Sequence, residues 1–103
     1  MQKNKKTTRK VSIDDAERII KKVVARKGYQ LLEIKSESTI SRYYKISSGP
    51  YELAFRISDH STKKRLMTLR IDHNFSIENI ERFAINRCKD LGDRIVKQTL
   101  GVI

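Results

Sequence analysis

Apolar positions along the chain recur first with a three- to four-residue period, then with a period of two, then with the longer period again. Ala16, Ile19, Ile20, Val23 and Val24 form one stripe, the spacing of a helix with a single buried face. Ser12 stands before Ile13, Asp14 and Asp15, a capping serine followed three positions later by an acid that reaches back to unpaired backbone amides. Gly28 after Lys27 supplies a left-handed terminating position. The spacing therefore predicts a helix over about residues 13–27. Arg18, Lys21, Lys22 and Arg26 lie on its outer face.

From Tyr29 to Asp72 the alternation is that of strands. Leu32 and Ile34 alternate with Glu33 and Lys35, and Tyr44 and Ile46 with Tyr43 and Lys45. Ser47, Ser48, Gly49 and Pro50 form a turn. Tyr51, Leu53, Phe55 and Ile57 then point one way, while Glu52, Ala54, Arg56 and Ser58 point the other, and His60 extends the second row. After a polar loop over 61–64, Met67, Leu69 and Ile71 face the core and Thr68, Arg70 and Asp72 face out. Phe75, Ser76 and Ile80 match a hydrophobic staple around a capping serine. Ile77, Ile80, Ala84, Cys88, Leu91 and Ile95 continue as a helical stripe, and Gly92 followed by Asp93 leaves open whether this is one helix or two.

The expected fold is α+β. An antiparallel three- to four-stranded meander carries two helices on one face, in the order α-β-β-β-(β)-α. This single domain is placed at 12–103, behind a tail at 1–11.

Charge changes the picture. Of 103 residues, 23 are Lys or Arg and 12 are Asp or Glu, a net charge of +11. A chain of this length has room for one core, which excludes a multidomain enzyme. Lys3, Lys5, Lys6, Arg9 and Lys10 fall in the first ten residues with no acid among them, a composition expected to be disordered when free. So strong a positive balance favours an anionic partner, RNA or DNA first, because each neutralised phosphate releases counterions. No apolar run long enough to span a membrane and no leader pattern occurs, so no membrane association is expected. Cys88 is the one cysteine, which suits a reducing compartment, and the chain is expected in the cytoplasm of a bacterial host.

The alternation gathers the candidate chemistry on the uncovered sheet face. Ser41, Tyr43 and Lys45 come from one strand, Arg56, Ser58 and His60 from the next, and Thr68 and Arg70 from the last. Hydroxyl and guanidinium groups bind phosphate oxygens, and a tyrosine stacks on a base or ribose. A polar, solvated face is the plain alternative. Lys63, Lys64 and Arg65 add a basic cluster on a loop between strands. His60, His73 and Cys88 lack zinc spacing, and Cys88 reads as a small buried side chain. No metal, cofactor or catalytic residue is expected. Asp59 beside His60 reads as a turn, since neighbours on a strand point to opposite faces.

Certain short motifs carry a resemblance. Ser41 and Tyr43, then Tyr51 and Glu52, then Arg56, Ser58, Asp59, His60 and Ser61, then Asn74 and Phe75 resemble a family of small phage-encoded proteins, the streptococcal-phage type II-A anti-CRISPR proteins that inhibit Cas9. About two fifths of the chain is covered. The resemblance implies an α/β fold with a flexible basic N-terminal tail important for inhibition, and a nucleoprotein partner, Cas9 with its guide RNA.

The leading reading is a non-enzymatic phage or mobile-element protein that binds nucleic acid or a nucleoprotein effector. Its tail steers and anchors, while the sheet face and the Lys63–Arg65 loop fix orientation. Two other readings stand behind it. One is a small metal-dependent nuclease with His60 as base, Asp59 or Asp72 on a metal and Arg56 on phosphate. The other is an adaptor that docks a host protein on the tyrosine-bearing face.

Overall fold

A computed structural model describes residues 11–38, 40–63, 65–72 and 76–100. The tail residues Lys3, Lys5, Lys6, Arg9 and Lys10 lie outside them, as do Lys64, His73, Asn74 and Phe75. The chain forms α1 (Ile13–Arg26), β1 (Gln30–Ser38), β2 (Ser41–Ser48), β3 (Tyr51–Ser58), β4 (Thr68–Arg70) and α2 (Ile77–Thr99). This is the α+β order that the periodicity implies.

Local chemistry sets the ends of α1. Ser12 Oγ accepts from the Asp15 amide at 3.1 Å, and the Ser12 amide donates back to Asp15 Oδ2 at 3.4 Å, so both arms of the capping box close. Gly28 ends the helix with φ at 81°, in the left-handed region that glycine enters at least cost. α2 begins at Ser76, whose Oγ accepts from the Asn79 amide at 3.1 Å. It runs without a break through Gly92. A Cβ there would stand 3.5 Å from the Tyr29 hydroxyl, an ordinary contact with the link between α1 and β1.

The four strands lie in the order β1-β2-β3-β4. β2 and β3 are antiparallel, with Tyr44 opposite Phe55 and Ile46 opposite Leu53. They join through Gly49 and Pro50 alone, since Ser48 pairs with Tyr51. Gly49 has φ at 59°, as the first central residue of a II′ hairpin turn requires. β1 pairs antiparallel with β2, and irregularities between Glu33 and Lys35 and between Ser36 and Ser38 interrupt its register. Such bulges discourage further strand pairing along an open edge.

The sheet departs from the expected meander at β4, which is parallel to β3, with Arg56 paired to Thr68 and Ser58 to Arg70. The connection over 59–67 is short for a parallel crossover. It suffices because β4 pairs only with the last three residues of β3, so the chain needs to retreat by a few ångströms and not by a full strand. β1 also differs in phase. Leu31, opposite Ile46, packs against the core, whereas Leu32 and Ile34 are exposed at 44% and 51%. Leu31, and not Leu32 or Ile34, therefore marks the covered side of β1.

Both helices cover one face. Ala16, Ile20, Val23 and Val24 of α1 and Ile80, Ala84, Cys88 and Leu91 of α2 share a single core with Tyr44, Ile46, Leu53, Phe55, Ile57, Leu69 and Ile71. Ile77, by contrast, is exposed on the first turn of α2. An aromatic row runs through the core. Tyr44 stacks on Phe55 at 5.4 Å between centroids, and Phe55 meets Phe83 of α2 edge to face at 5.6 Å, geometries worth about 0.5–1.5 kcal/mol each beyond burial. One polar latch ties α1 to β2. Tyr44, 1% exposed, donates its hydroxyl hydrogen to Glu17 Oε1 at 2.8 Å, and Arg42 reaches the same oxygen at 3.0 Å and Asp14 at 2.8 Å. Burial, then the neighbouring Glu17 carboxylate, pushes the Tyr44 phenol well above its ordinary pKa.

Candidate nucleic-acid interface

The register puts Ser41, Tyr43 and Lys45 of β2 beside Ser58, Arg56 and Ala54 of β3, on the face turned away from the helices. Arg56 is the hub. Its Nε donates to Ser41 Oγ at 2.8 Å, its Nη2 lies 3.1 Å from His60 Nε2, and its guanidinium sits 5.6 Å from the Tyr43 ring centroid. None of the three partners is a carboxylate. Among the described residues no carboxylate pairs with Arg56, so the cation is fixed in direction while its charge stays uncompensated.

His60 and Ser58 build the rim of this hub. β3 ends at Ser58, so Asp59 and His60 belong to the connection and not to the strand. Ser58 is fully buried and donates to the His60 carbonyl at 3.2 Å. His60 Nδ1 lies 3.2 Å from the Ser61 carbonyl. A guanidinium only donates and a carbonyl only accepts, which makes Nε2 the acceptor and Nδ1 the protonated nitrogen. Both ring nitrogens are thereby engaged, and Asp59 does not orient the imidazole. Ser41, at 5% exposed, shares the position of Ser58. These two serines hold the hub from beneath and are not themselves surface for a ligand, whereas Tyr43, Arg56 and His60 are partly exposed.

Elsewhere on the face, cations are balanced. Lys45 pairs with Glu52 at 2.9 Å. Arg70 grips Asp72 through two nitrogens, at 2.7 and 3.2 Å, and donates to the Thr62 carbonyl at 2.8 Å. The Asp72 carboxylate raises the Arg70 pKa further above its ordinary value. Arg70 therefore anchors the 59–67 connection. On that connection Lys63 and Arg65 are exposed, and among the described residues neither has an ion-pair partner. On this face the cations with no carboxylate partner among the described residues thus lie at one corner, where the end of β3 and the following loop meet.

Among the described residues, no group of three or more His, Cys, Asp and Glu side chains converges as a metal site. No helix among them is long and apolar enough to cross a membrane. No family model matches this chain, and neither a curated protein nor a solved structure shows significant similarity to it.

Sequence reasoning missed one buried cation. Arg87 of α2 is 3% exposed. It donates to the Leu66 carbonyl, lies over the Phe83 ring at 5.1 Å and pairs with Asp90 at 2.9 Å. Its place on the apolar stripe one residue before Cys88 is the signal that was available. The bonds clamp the 65–67 turn, closed by the Thr68 amide on the Arg65 carbonyl at 3.1 Å, onto the helix.

Proposed function

We propose that this protein is a non-enzymatic binder of polyanions, which takes RNA, DNA or a nucleoprotein on the open sheet face and its basic corner. The observation that carries this reading is Arg56, a cation oriented by Ser41, Tyr43 and His60 and paired with no carboxylate among the described residues. A buried or paired arginine serves the fold; one directed by neutral groups at a partly open surface keeps its attraction for phosphate. Tyr43 beside it offers a ring to a base or ribose. Lys63 and Arg65, with Lys64 between them in sequence, supply further phosphate contacts, and the five cations of residues 1–10 extend capture over a longer range.

The motif resemblance to Cas9 inhibitors of phage makes Cas9 loaded with its guide the candidate nucleoprotein, and the bacterial cytoplasm the place of action. Two measurements test the proposal. Affinity purification from a bacterial lysate, with and without nuclease, is expected to recover nucleic acid or a nucleoprotein, and recovery of a protein partner unaffected by nuclease would contradict it. Cleavage of a target DNA by guide-loaded Cas9 is expected to fall when the protein is added. Undiminished cleavage removes Cas9 as the target.

A further inference from the structure

A groove lies between the β4 edge and α2. The groove has a volume of about 570 Å³ and is lined by Arg65, Arg70, Asn79, Arg82, Phe83 and Asn86, among others. A cleft of this size holds one ligand of nucleotide dimensions. Asn79, Arg82, Phe83 and Asn86 follow the i, i+3, i+4, i+7 spacing of one helical stripe, so α2 presents two amides, a guanidinium and an aromatic ring along a single wall. The opposite wall is the 65–67 turn. Buried Arg87 clamps it to the helix through the Leu66 carbonyl, which places Arg65 and the 73% exposed Leu66 side chain at the rim.

The charge of this groove is unequal. Arg70 is already neutralised by Asp72. Arg82 touches only the Asn79 amide oxygen, at 3.5 Å, and among the described residues neither Arg82 nor Arg65 has a carboxylate partner. The guanidinium groups of Arg65 and Arg82 therefore flank an apolar floor of Phe83 and Leu69, with side-chain amides able to donate and accept at its edge. That combination matches an unstacked nucleotide: phosphate oxygens for the arginines, a planar apolar face for the floor and hydrogen-bonding edges for the amides. A base inside a duplex cannot enter, because its faces are occupied by its neighbours.

We infer that the β4–α2 groove is a binding site for single-stranded nucleic acid, taking one splayed nucleotide with its phosphate on Arg65 and Arg82. The inference rests on the proposed reading that the partner contains nucleic acid, and it adds strand selectivity and a second point of contact. Single strands then bridge from the Arg56 hub to this groove past the exposed loop.

The test uses the full chain and labelled oligouridylate and oligothymidylate of about ten nucleotides, beside a duplex of equal length. The wild type is expected to prefer the single strands. Arg65→Ala/Arg82→Ala is expected to lose about tenfold in single-strand affinity, while Lys21→Ala/Lys22→Ala, which removes equal charge from α1, loses much less. The side-chain amide NMR signals of Asn79 and Asn86 are expected to shift on titration in the wild type. If uridylate and thymidylate differ, the 2′-hydroxyl or the 5-methyl group is being read; equal affinity assigns the site to the features they share, the pyrimidine ring and the phosphate, and either result supports it. Equal losses in the two double variants, or amide signals that stay in place, overturn the groove while leaving the Arg56 face intact. Absence of binding to any oligonucleotide overturns both readings.

Discussion

Arg56 donates from Nη2 toward Nε2 of His60 across 3.1 Å, which fixes the tautomer of that histidine. The proton sits on Nδ1, directed at the Ser61 carbonyl 3.2 Å away. Long-range ¹H–¹⁵N spectra of the neutral imidazole are expected to show Nδ1 protonated and Nε2 bare. Arg56→Ala is expected to release that preference, because the ordinary tautomer balance returns when the donor is gone. An Nε2-protonated ring in the wild type would show that Arg56 and His60 are not bonded as described.

The Glu17 latch separates two kinds of polar contribution. Tyr44→Phe removes a hydroxyl and its hydrogen bond together, and about 1 kcal/mol of stability is expected to go with it. Glu17→Ala leaves the Tyr44 hydroxyl buried without its acceptor and deprives Arg42 of one of two carboxylates. A loss of about 1–3 kcal/mol is expected, larger than that of Asp14→Ala. Asp14 is 75% exposed on its side chain, so water replaces what it gives. Urea unfolding of the three variants checks the order, and Asp14→Ala proving the most damaging would refute it.

Two groups give the stability a defined pH dependence. Asp15 is held below the ordinary aspartate value by the Ser12 hydroxyl and amide and by Arg18. A depressed carboxylate stabilises the fold above its unfolded pKa of about 3.9, and the contribution disappears as pH falls through the lower folded value. Asp15→Asn is expected to flatten the melting temperature against pH across that acidic window. Tyr44 behaves oppositely. Its raised phenol stays neutral in the fold, so stability falls once pH exceeds about 10 and the unfolded phenol ionises. Tyr44→Phe is expected to soften that alkaline decline, and an unchanged slope would contradict the burial.

Cys88 lies in the core, and burial raises its thiol pKa. Its reaction with a thiol reagent near pH 8 is expected to run at least about tenfold slower in the native protein than in urea. Rapid labelling without denaturant would mean that the α2 core face opens readily.

Much of the fold was legible because strong local signals agreed with burial. Ser12 with Asp15, Gly28, the Gly49–Pro50 turn and the alternation from Tyr43 to Ser58 each fixed an element or a face. What escaped was set by pairing over distance. Nothing local in Thr68–Arg70 states whether it runs with β3 or against it; three residues reverse direction at little cost. In β1, Leu31 and Leu32 are adjacent and both apolar, so the phase is decided by which one Ile46 opposes. The face could be read for residue type and not for accessibility. Ser41 and Ser58 sit on it as expected, yet Arg56, reaching across Ser41, and the connection that begins beyond Ser58 bury them. The Asn79 to Asn86 stripe was hidden because a polar helix wall reads as solvated surface until β4 is placed against it, and Arg87 because its charge masked its place on the apolar stripe.

Arg56, which has no carboxylate partner among the described residues, is the cation on which the proposed binding depends. Affinity for a labelled single strand, measured across a range of salt concentrations in wild type, Arg56→Ala and Tyr43→Ala, tests it most directly. Wild-type binding is expected to weaken linearly on a log–log plot, and Arg56→Ala to bind more weakly with a slope shallower by about 0.7. Tyr43→Ala is expected to weaken binding by about 1–3 kcal/mol with the wild-type slope. Identical affinity and slope in Arg56→Ala and wild type would contradict the claim.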